Sequence, residues 1–495
     1  MNHYPLYIDG SWRETPAHMT VTSPYSGDGV AACGLASPAD MEAAIAAADR
    51  DFLPFRNTLR GHRAQLLTAM AREIETRRAE FIKRMVTEAG KPKTLANIEV
   101  SRAIMTFTAA AEEAKRLGGD VIPLDGEAAN AGYGPAISYW FAKSPVLAIA
   151  PFNFPLNLIA HKVAPALAVG APVVVKPPPQ APGCAMLLAE IFHDLLKSDA
   201  VLGKVIPRAA LQVFQAANDV TGIAIKDPRL GIVSFTGSQK VGWMLQGMAI
   251  GKKIALELGG NAAVIVHEDA DLQRAAVRCA FGAFAYAGQI CISVQRILVH
   301  TKIEKDFVGL LLDEVAKISV GDPESSDVTC GPLIDQAAAH RVITWIEEAK
   351  RRGARVLAGG VMTGNNFIAP TVMTHVPKDL PLACEEVFGP VVIIATYADF
   401  AEAVRMSNAS QYGLQAGVFT DSAALHHYAT QHLEVGGIIL NDIPTFRADN
   451  MPYGGVKGSG LGREGVRFAM EDFCERRTVV TRNQGFRAQW NVKPG

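Results

Sequence analysis

Short apolar segments that alternate with helical patterns are the feature that most constrains how this chain can fold. Residues 146–150 and 172–175 are two such segments, and strands of similar character continue the series at 211–215, 231–235 and 254–256. A strand that is apolar on both faces must be buried on both faces, which requires a parallel sheet covered by helices. We therefore expect an α/β fold in which a nucleotide-like ligand binds at the carboxyl ends of the strands.

A second strand-and-helix series begins at residues 261–266 and continues to about residue 460. Two further segments lie outside both series. Residues 118–142 are rich in glycine and end in an alternating strand, and residues 477–481 form a late strand that can pair with it. Because an exposed hairpin of this kind often pairs with another subunit, we expect it to form an oligomerisation arm.

The composition is that of an ordinary globular protein, with 49% hydrophobic and 20% charged residues and a formal net charge of -1. This balance indicates neither a nucleic-acid partner nor a membrane partner. Seven cysteines are scattered without a CxxC pair or metal-ligand spacing, which favours reduced thiols and no metal site. The most apolar stretch, 145–175, is broken by polar residues and prolines. These patterns predict a cytoplasmic protein.

Cys291 lies in a break between two regular patterns. A helical pattern runs over residues 271–287, and a strand-like run follows at 296–299. A thiol presented by such a loop can act as a nucleophile if its pKa is lowered. A lone cysteine is more often a small buried hydrophobic residue, so the position alone leaves both interpretations open.

Two polar residues follow apolar strands and can support a nucleophile. Asn153, between two prolines at 151–155, can donate its amide to a developing oxyanion, although an asparagine there can equally form an Asx turn. Glu257 lies among apolar residues, where burial raises the pKa of a carboxyl group towards that of a general base. Its alternative role is that of a structural ion-pair member.

Two other segments suggest a nucleotide site. Lys176 follows a buried strand and can reach a ribose or a phosphate, or simply lie in solvent. The turn at 235–242 would direct free backbone N–H groups towards a pyrophosphate, but it lacks the GxGxxG pattern and is a weak signal alone.

Taken together, these motifs resemble the aldehyde dehydrogenase superfamily. The resemblance rests on Glu257-Leu258-Gly259-Gly260 and Gly288-Gln289-Ile290-Cys291 and extends from Ile8-Asp9-Gly10 to the final strand. Further matching stretches are Pro151-Phe152-Asn153-Phe154-Pro155, Lys176-Pro177, Phe235-Thr236-Gly237-Ser238, Glu385-Glu386-Val387-Phe388-Gly389-Pro390 and Pro452-Tyr453-Gly454-Gly455-Val456-Lys457-Gly458-Ser459-Gly460.

The resemblance implies a division of the chain into three parts. A Rossmann-type dinucleotide-binding domain would span 1–119 and 143–258, and an α/β catalytic domain 259–460. A small β oligomerisation arm with the tail would take 120–142 and 461–495. A homodimer or homotetramer is expected.

It also implies a mechanism. Cys291 would attack an aldehyde, and the oxyanion of the thiohemiacetal would be held by Asn153 and the Cys291 backbone N–H. Hydride would pass to NAD or NADP, and Glu257 would activate the water that hydrolyses the thioester. The remaining cofactor contacts would come from Lys176, Gly237, Ser238, Glu386 and Phe388. Pro179 stands where NAD-preferring relatives carry an acidic residue, so the choice between the two cofactors stays open.

The expected substrate is a small polar or anionic aldehyde. The candidate contacts are Arg102, Asn157, His161 and Arg447, and the pattern resembles branches that act on lactaldehyde, phosphonoacetaldehyde or glyceraldehyde 3-phosphate. Ile290 weakens the last of these, because that branch usually has arginine there. Structural alternatives are that Arg102 pairs with Glu99, that Arg447 pairs with Asp449, and that His161 is a core residue.

Two other functions compete with this interpretation. A CoA-acylating relative would release an acyl-CoA, but such enzymes usually lack the base that Glu257 provides. A dehydrogenase-like binding protein without activity usually lacks the nucleophile or the base, and both are present here.

Overall fold

The computed structural model describes residues 1–130 and 132–482. Its first sheet has eight strands, and five of them form a parallel core with helices on both faces. The parallel strands, in spatial order, are Lys253–Glu257, Ile232–Thr236, Val146–Ile149, Val173–Lys176 and Leu211–Val213. The short strands Gly460–Leu461, Leu6–Ile8 and Ser11–Arg13 extend the edges in antiparallel pairing. The apolar segments thus form the buried parallel sheet predicted from the sequence.

Two helical layers cover this sheet, and a separate apolar cluster fills the space beneath each layer. The helix Asn157–Val169 is buried along its whole length. The other helices around this sheet are Pro38–Arg56, Arg60–Thr76, Arg78–Ala89, Lys93–Arg116, Gly183–Ser198, Leu202–Val205, Asn218–Lys226, Gln239–Met248 and Val466–Asp472. The helices Arg60–Thr76 and Arg78–Ala89 are separated by a break at Arg77.

The second sheet has seven strands. In spatial order they are Arg355–Ala358, Thr371–Thr374, Val391–Tyr397, Arg296–His300, Ala263–Val266, Gln415–Phe419 and Gly437–Leu440, and all but the first run parallel. Its helices are Leu272–Phe284, Glu304–Val315, Gln336–Arg351, Pro381–Cys384, Phe400–Asn408 and Ala423–His432. This sheet is the second α/β series of the sequence.

A three-stranded antiparallel sheet stands apart from the other two. Its strands are Val121–Ile122, Tyr133–Ala142 and Cys474–Arg482, and the late strand pairs with the hairpin from Cys474 opposite Ala142 onwards. The last residues of the predicted arm and tail, 483–495, and Ala131 lie outside the described residues. The domain boundaries given above stay a prediction.

Smaller strands complete the fold. Asn2–Tyr4, His18–Thr22, Gly29–Ala36 and Gln215–Ala216 form a four-stranded sheet, and Met362–Gly364 pairs with Phe367–Ile368, as Tyr412–Gly413 does with Val456–Lys457. Within the described ranges no helix combines the length and the apolar character that crossing a bilayer demands.

Candidate active site

Three of the chemically important side chains face one cavity of about 530 Å³. Glu257 ends the strand Lys253–Glu257, and Asn153 follows the neighbouring strand Val146–Ile149. Cys291 comes from the loop before the second sheet's strand Arg296–His300. The cavity therefore lies where the carboxyl ends of the first sheet meet a loop of the second unit.

The chain presents Cys291 by a turn in an uncommon backbone conformation. After the helix Leu272–Phe284, the residues Tyr286, Ala287 and Gly288 have φ angles of 53°, 53° and 69°. This left-handed region costs an L-residue about 1–2 kcal/mol, and the Tyr286 hydroxyl anchors the turn by donating to the Ala89 carbonyl at 2.9 Å. A Cβ on Gly288 would lie 2.2 Å from the Gly389 oxygen, so only glycine fits there.

The Asn153 side chain bridges the first sheet to the Cys291 loop. Its Nδ2 donates to the main-chain oxygen of Gln289 at 2.9 Å, and its Oδ1 accepts from the Phe154 N–H at 3.1 Å. Lys91, ion-paired with the buried Glu99, donates to the Asn153 carbonyl at 2.9 Å. Because an amide nitrogen carries two N–H donors, one donor of Asn153 remains for an oxyanion.

Burial dominates the electrostatics of Cys291 and Glu257. It raises the pKa of the Cys291 thiol to about 11, against the opposing effects of the Tyr453 hydroxyl and the Arg447 charge. Burial, reinforced by the negative Glu464, raises the pKa of Glu257 well above its ordinary value. Among the described residues no donor reaches the buried Glu257 Oε2, so this oxygen is free to accept a hydrogen bond.

Lys162 and Glu464 belong to the site although the sequence did not single out either as functional. Lys162 Nζ donates to Glu464 Oε1 at 2.9 Å and to Thr236 Oγ1 at 2.7 Å, and Arg447 Nη2 donates to Glu464 Oε2 at 3.0 Å. These two cations overcome burial and hold the pKa of Glu464 well below its usual range. The sequence signal that could have identified this pair is Lys162 in an otherwise apolar helical run, because a buried ammonium group requires a partner.

Four of the predicted cofactor contacts also line this cavity, namely Gly237, Ser238, Glu386 and Phe388. Ser238 precedes the helix Gln239–Met248, whose first N–H groups can bind a pyrophosphate. The Gly260 N–H donates to Glu386 Oε1 at 3.1 Å, and burial raises the Glu386 pKa to about 7. A Cβ on Gly259 would lie 2.4 Å from Glu386 Oε2, so glycine makes room for a carboxyl group that can bind a ribose hydroxyl.

Lys176 and Pro179 lie outside the lining of this cavity. Lys176 ends the strand Val173–Lys176, and burial lowers the pKa of its ammonium group. Pro179 is exposed. The groups that surround the cavity fit a dinucleotide: helix-terminal N–H donors for its phosphates and a carboxyl group for its ribose.

Three of the four predicted substrate contacts converge on one carboxylate, that of Asp449. Arg102 binds it through Nε at 3.1 Å and Nη2 at 2.7 Å. Asn157 Nδ2 and His161 Nε2 lie 3.0 Å and 2.9 Å from its Oδ1. His161 is fully buried, and burial lowers its pKa, which favours the neutral imidazole.

Two of the expected structural alternatives are wrong. Arg102 pairs with Asp449 rather than with Glu99, whose partner is Lys91. Arg447 pairs with Glu464 rather than with Asp449. Both pairings join residues far apart in the chain, which sequence spacing along one helix or loop does not indicate. His161 is buried, as its alternative role as a core residue requires, and its Nε2 binds Asp449, but its Nδ1 is buried without a partner among the described residues.

Three cations share two carboxylates in the ion pairs around Asp449 and Glu464. The cations are Arg102, Lys162 and Arg447, and the ionised carboxylates are Asp449 and Glu464. Among the described residues no acceptor lies within reach of Arg447 Nε, although this atom is buried. An unpaired buried N–H is costly, so this donor is suited to an anionic ligand.

Comparison with known proteins agrees with this geometry. Residues 12–479 match the aldehyde dehydrogenase family. The 3-sulfolactaldehyde dehydrogenase of Priestia aryabhattai is 39% identical over 97% of this chain and 98% of its own length. Aldehyde dehydrogenase 21 of Physcomitrella patens, solved with the reaction product succinate, has a TM-score of 0.94 and 38% identity, with 98% of this chain and 99% of that chain covered. The glyceraldehyde-3-phosphate dehydrogenase of Methanocaldococcus jannaschii, complexed with NADP, has a TM-score of 0.89 and 36% identity over 94% of this chain and all of that chain.

Proposed function

This chain belongs to the aldehyde dehydrogenase family, and from that premise we propose that it acts on a small aldehyde that carries an anionic group. As a member of the family it oxidises an aldehyde to the carboxylic acid and passes hydride to NAD or NADP. The observation that carries the proposal is the Nε of Arg447, which is buried and has no partner among the described residues, while Arg447 shares its one carboxylate, Glu464, with Lys162.

The position of Arg447 also bears on the size of the substrate. Its guanidinium lies 3.8 Å from the centre of the Tyr453 ring, and the Tyr453 hydroxyl lies 3.0 Å from Cys291 Sγ. A cation one aromatic ring away from the nucleophile suits an anionic group only a few bonds from the aldehyde carbon. Two relatives support this class, since one is named for sulfolactaldehyde and another was solved with succinate.

The first chemical step is assigned to Cys291 and Asn153. The thiolate attacks the carbonyl carbon and forms a carbon–sulfur bond, which places the negative charge on the carbonyl oxygen. The free donor of the Asn153 amide and the Cys291 N–H stabilise that oxygen. When bound, NAD or NADP supplies the ring that accepts hydride, and a thioester on Cys291 is left.

Five residues would hold the cofactor. Glu386 would hold a ribose hydroxyl, Gly237 and Ser238 would lie against the pyrophosphate, Lys176 would reach the adenosine ribose, and Phe388 would pack beside the nicotinamide ring.

Hydrolysis of the thioester is assigned to Glu257. In its ionised form the carboxylate takes a proton from water, the water oxygen bonds to the thioester carbon, and the carbon–sulfur bond breaks to release the acid. A buried base beside the nucleophile favours water as the acceptor over coenzyme A. Addition of coenzyme A is therefore expected to leave the product unchanged, whereas a thioester product would reverse this assignment.

The substrate proposal is tested by the Arg447→Ala variant with two aldehydes of equal length, one carrying a carboxylate or phosphonate and the other neutral. Loss of the guanidinium is expected to raise KM for the anionic aldehyde about 10- to 100-fold, because a charge-assisted pair is lost. KM for propanal serves as the control and is expected to change far less. Equal losses on both aldehydes would contradict the proposal.

We further propose a cytoplasmic homodimer or homotetramer. The outer strand Cys474–Arg482 carries the exposed residues Val479 and Val480 at the edge of the small sheet, which supports a subunit contact there. The scattered unpaired cysteines support a reducing compartment. Light scattering of the wild type and of a Val479→Asp variant tests the assembly, and a monomeric wild type would contradict it.

A further inference from the structure

Tyr453 places its hydroxyl directly on the sulfur of Cys291. The phenolic oxygen and Sγ are 3.0 Å apart, and among the described residues the sulfur is the only hydrogen-bond partner of this hydroxyl. Tyr453 is 3% exposed and packs with Ile292 and Leu414. A buried phenol needs a hydrogen-bond partner, and here the partner is the atom that attacks the substrate.

The backbone and Arg447 hold the phenol in this position. The Tyr453 N–H donates to the Glu464 carbonyl at 3.0 Å, and the Glu464 N–H donates back at 2.7 Å. The Arg447 guanidinium lies over the face of the phenol ring, and Glu464 in turn binds that guanidinium. A cation over the ring is attracted by its electrons and makes the O–H a stronger donor.

We propose that Tyr453 is a catalytic residue whose hydroxyl donates a hydrogen bond to the Cys291 thiolate and so increases the fraction of sulfur that can attack an aldehyde. The inference rests on the proposed role of Cys291 as the nucleophile. Once the carbon–sulfur bond forms, the negative charge moves to the carbonyl oxygen and the sulfur no longer needs this donor. The hydroxyl keeps its own proton throughout and the thiol proton is released to solvent water, so the step requires no further reactant. The pKa of Cys291 agrees with this role, because burial raises it and the hydrogen bond with Tyr453 lowers it.

The test measures the reactivity of Cys291 without any turnover. The rate of alkylation by iodoacetamide, a neutral reagent, is followed from pH 6 to 11 in the wild type and in Tyr453→Phe by mass spectrometry of the Cys291 peptide. Loss of one hydrogen bond to a charged group is expected to slow alkylation at pH 7 about 10-fold or more and to shift the profile to higher pH. A fluorinated tyrosine at position 453, whose hydroxyl is more acidic, is expected to shift the profile to lower pH.

Two controls separate ionisation from packing. Tyr397→Phe removes another buried hydroxyl, one that donates to the Val266 carbonyl at 3.2 Å, and is expected to leave the Cys291 profile unchanged. Alkylation of Cys384 in the same samples shows whether the reagent is equally active in each of them. A Tyr453→Phe profile equal to that of the wild type would overturn the inference, as would a fluorotyrosine profile without a shift if the phenylalanine variant does not fold. Turnover that persists in Cys291→Ser would instead overturn the proposed function.

Discussion

The Asn153 amide and the Gln289 carbonyl are joined by a 2.9 Å hydrogen bond between the first sheet and the loop that carries Cys291. One side chain therefore connects two parts of the chain and keeps a second N–H donor for the proposed oxyanion. Because Lys91 also holds the Asn153 main-chain carbonyl, the amide has little freedom to turn. Such a fixed donor stabilises a developing charge without reorganisation when the reaction occurs.

The Asn153→Ala variant tests this role. Loss of the donor is expected to lower kcat about 10²- to 10³-fold, which is the usual effect of removing one oxyanion donor. Steady-state kinetics measure kcat, and thermal unfolding shows whether the variant is folded. A folded variant with kcat close to that of the wild type would contradict the assignment.

A Glu257→Gln variant is expected to stop after the first half of the reaction. Hydride transfer does not require the base, so one equivalent of NADH or NADPH forms rapidly, and the steady rate then falls about 10²- to 10⁴-fold. Rapid mixing measures the burst, and intact-protein mass detects the acyl group on Cys291. Unchanged steady turnover, or acylation at another residue, would refute the assignment.

Activity is expected to rise with pH. Cys291 and Glu257 both act in their deprotonated forms, and burial raises both pKa values, that of Cys291 to about 11. Lowering the pH therefore protonates both groups and slows the reaction. The measurement is kcat/KM from pH 6 to 10, with thermal unfolding at each pH as a check on folding. A flat profile across this range is the contrary result.

An Asp449→Asn variant is expected to lose stability. Burial opposes ionisation of this carboxyl group, but His161 and Arg102 hold its pKa well below the ordinary value. The carboxylate therefore stabilises the fold fully above the unfolded-state pKa, near 4, and this contribution is lost as the pH falls through the lowered folded-state pKa. The variant leaves the Arg102 guanidinium, which is only 24% exposed, without its charged partner. The free energy of unfolding is therefore expected to fall by about 3 kcal/mol at neutral pH. Thermal or urea unfolding at pH 7 and pH 4 measures it, and equal stability at pH 7 would contradict this account.

A carboxylate introduced at position 179 is expected to select against NADP. Pro179→Glu places an acceptor where it can bind a ribose 2′-hydroxyl and repel a 2′-phosphate. The ratio of kcat/KM for NADP to that for NAD is expected to fall about tenfold or more. Gln180→Glu adds the same charge one residue away and serves as the control. If both variants change the ratio equally, position 179 does not face the 2′ position.

The sequence predicted the two parallel sheets because strands such as Val146–Ile149 are apolar on both faces, which few other folds accommodate. It also predicted the groups that share one cavity, since Asn153 and Cys291 lie in recognisable segments. It did not predict the hydrogen-bond partners of the candidate substrate residues. Asp449 meets His161 across 288 residues of chain, and no local pattern encodes a pairing that depends on how the two sheets dock.

The strained turn at Tyr286, Ala287 and Gly288 links reactivity to the completeness of the fold. Tyr286 is tethered to Ala89, which belongs to the helices around the other sheet. A chain in which only the second sheet has formed lacks this hydrogen bond. The strained turn that positions Cys291 is then not held in place. The position of the thiol thus depends on contacts from the helices around both sheets.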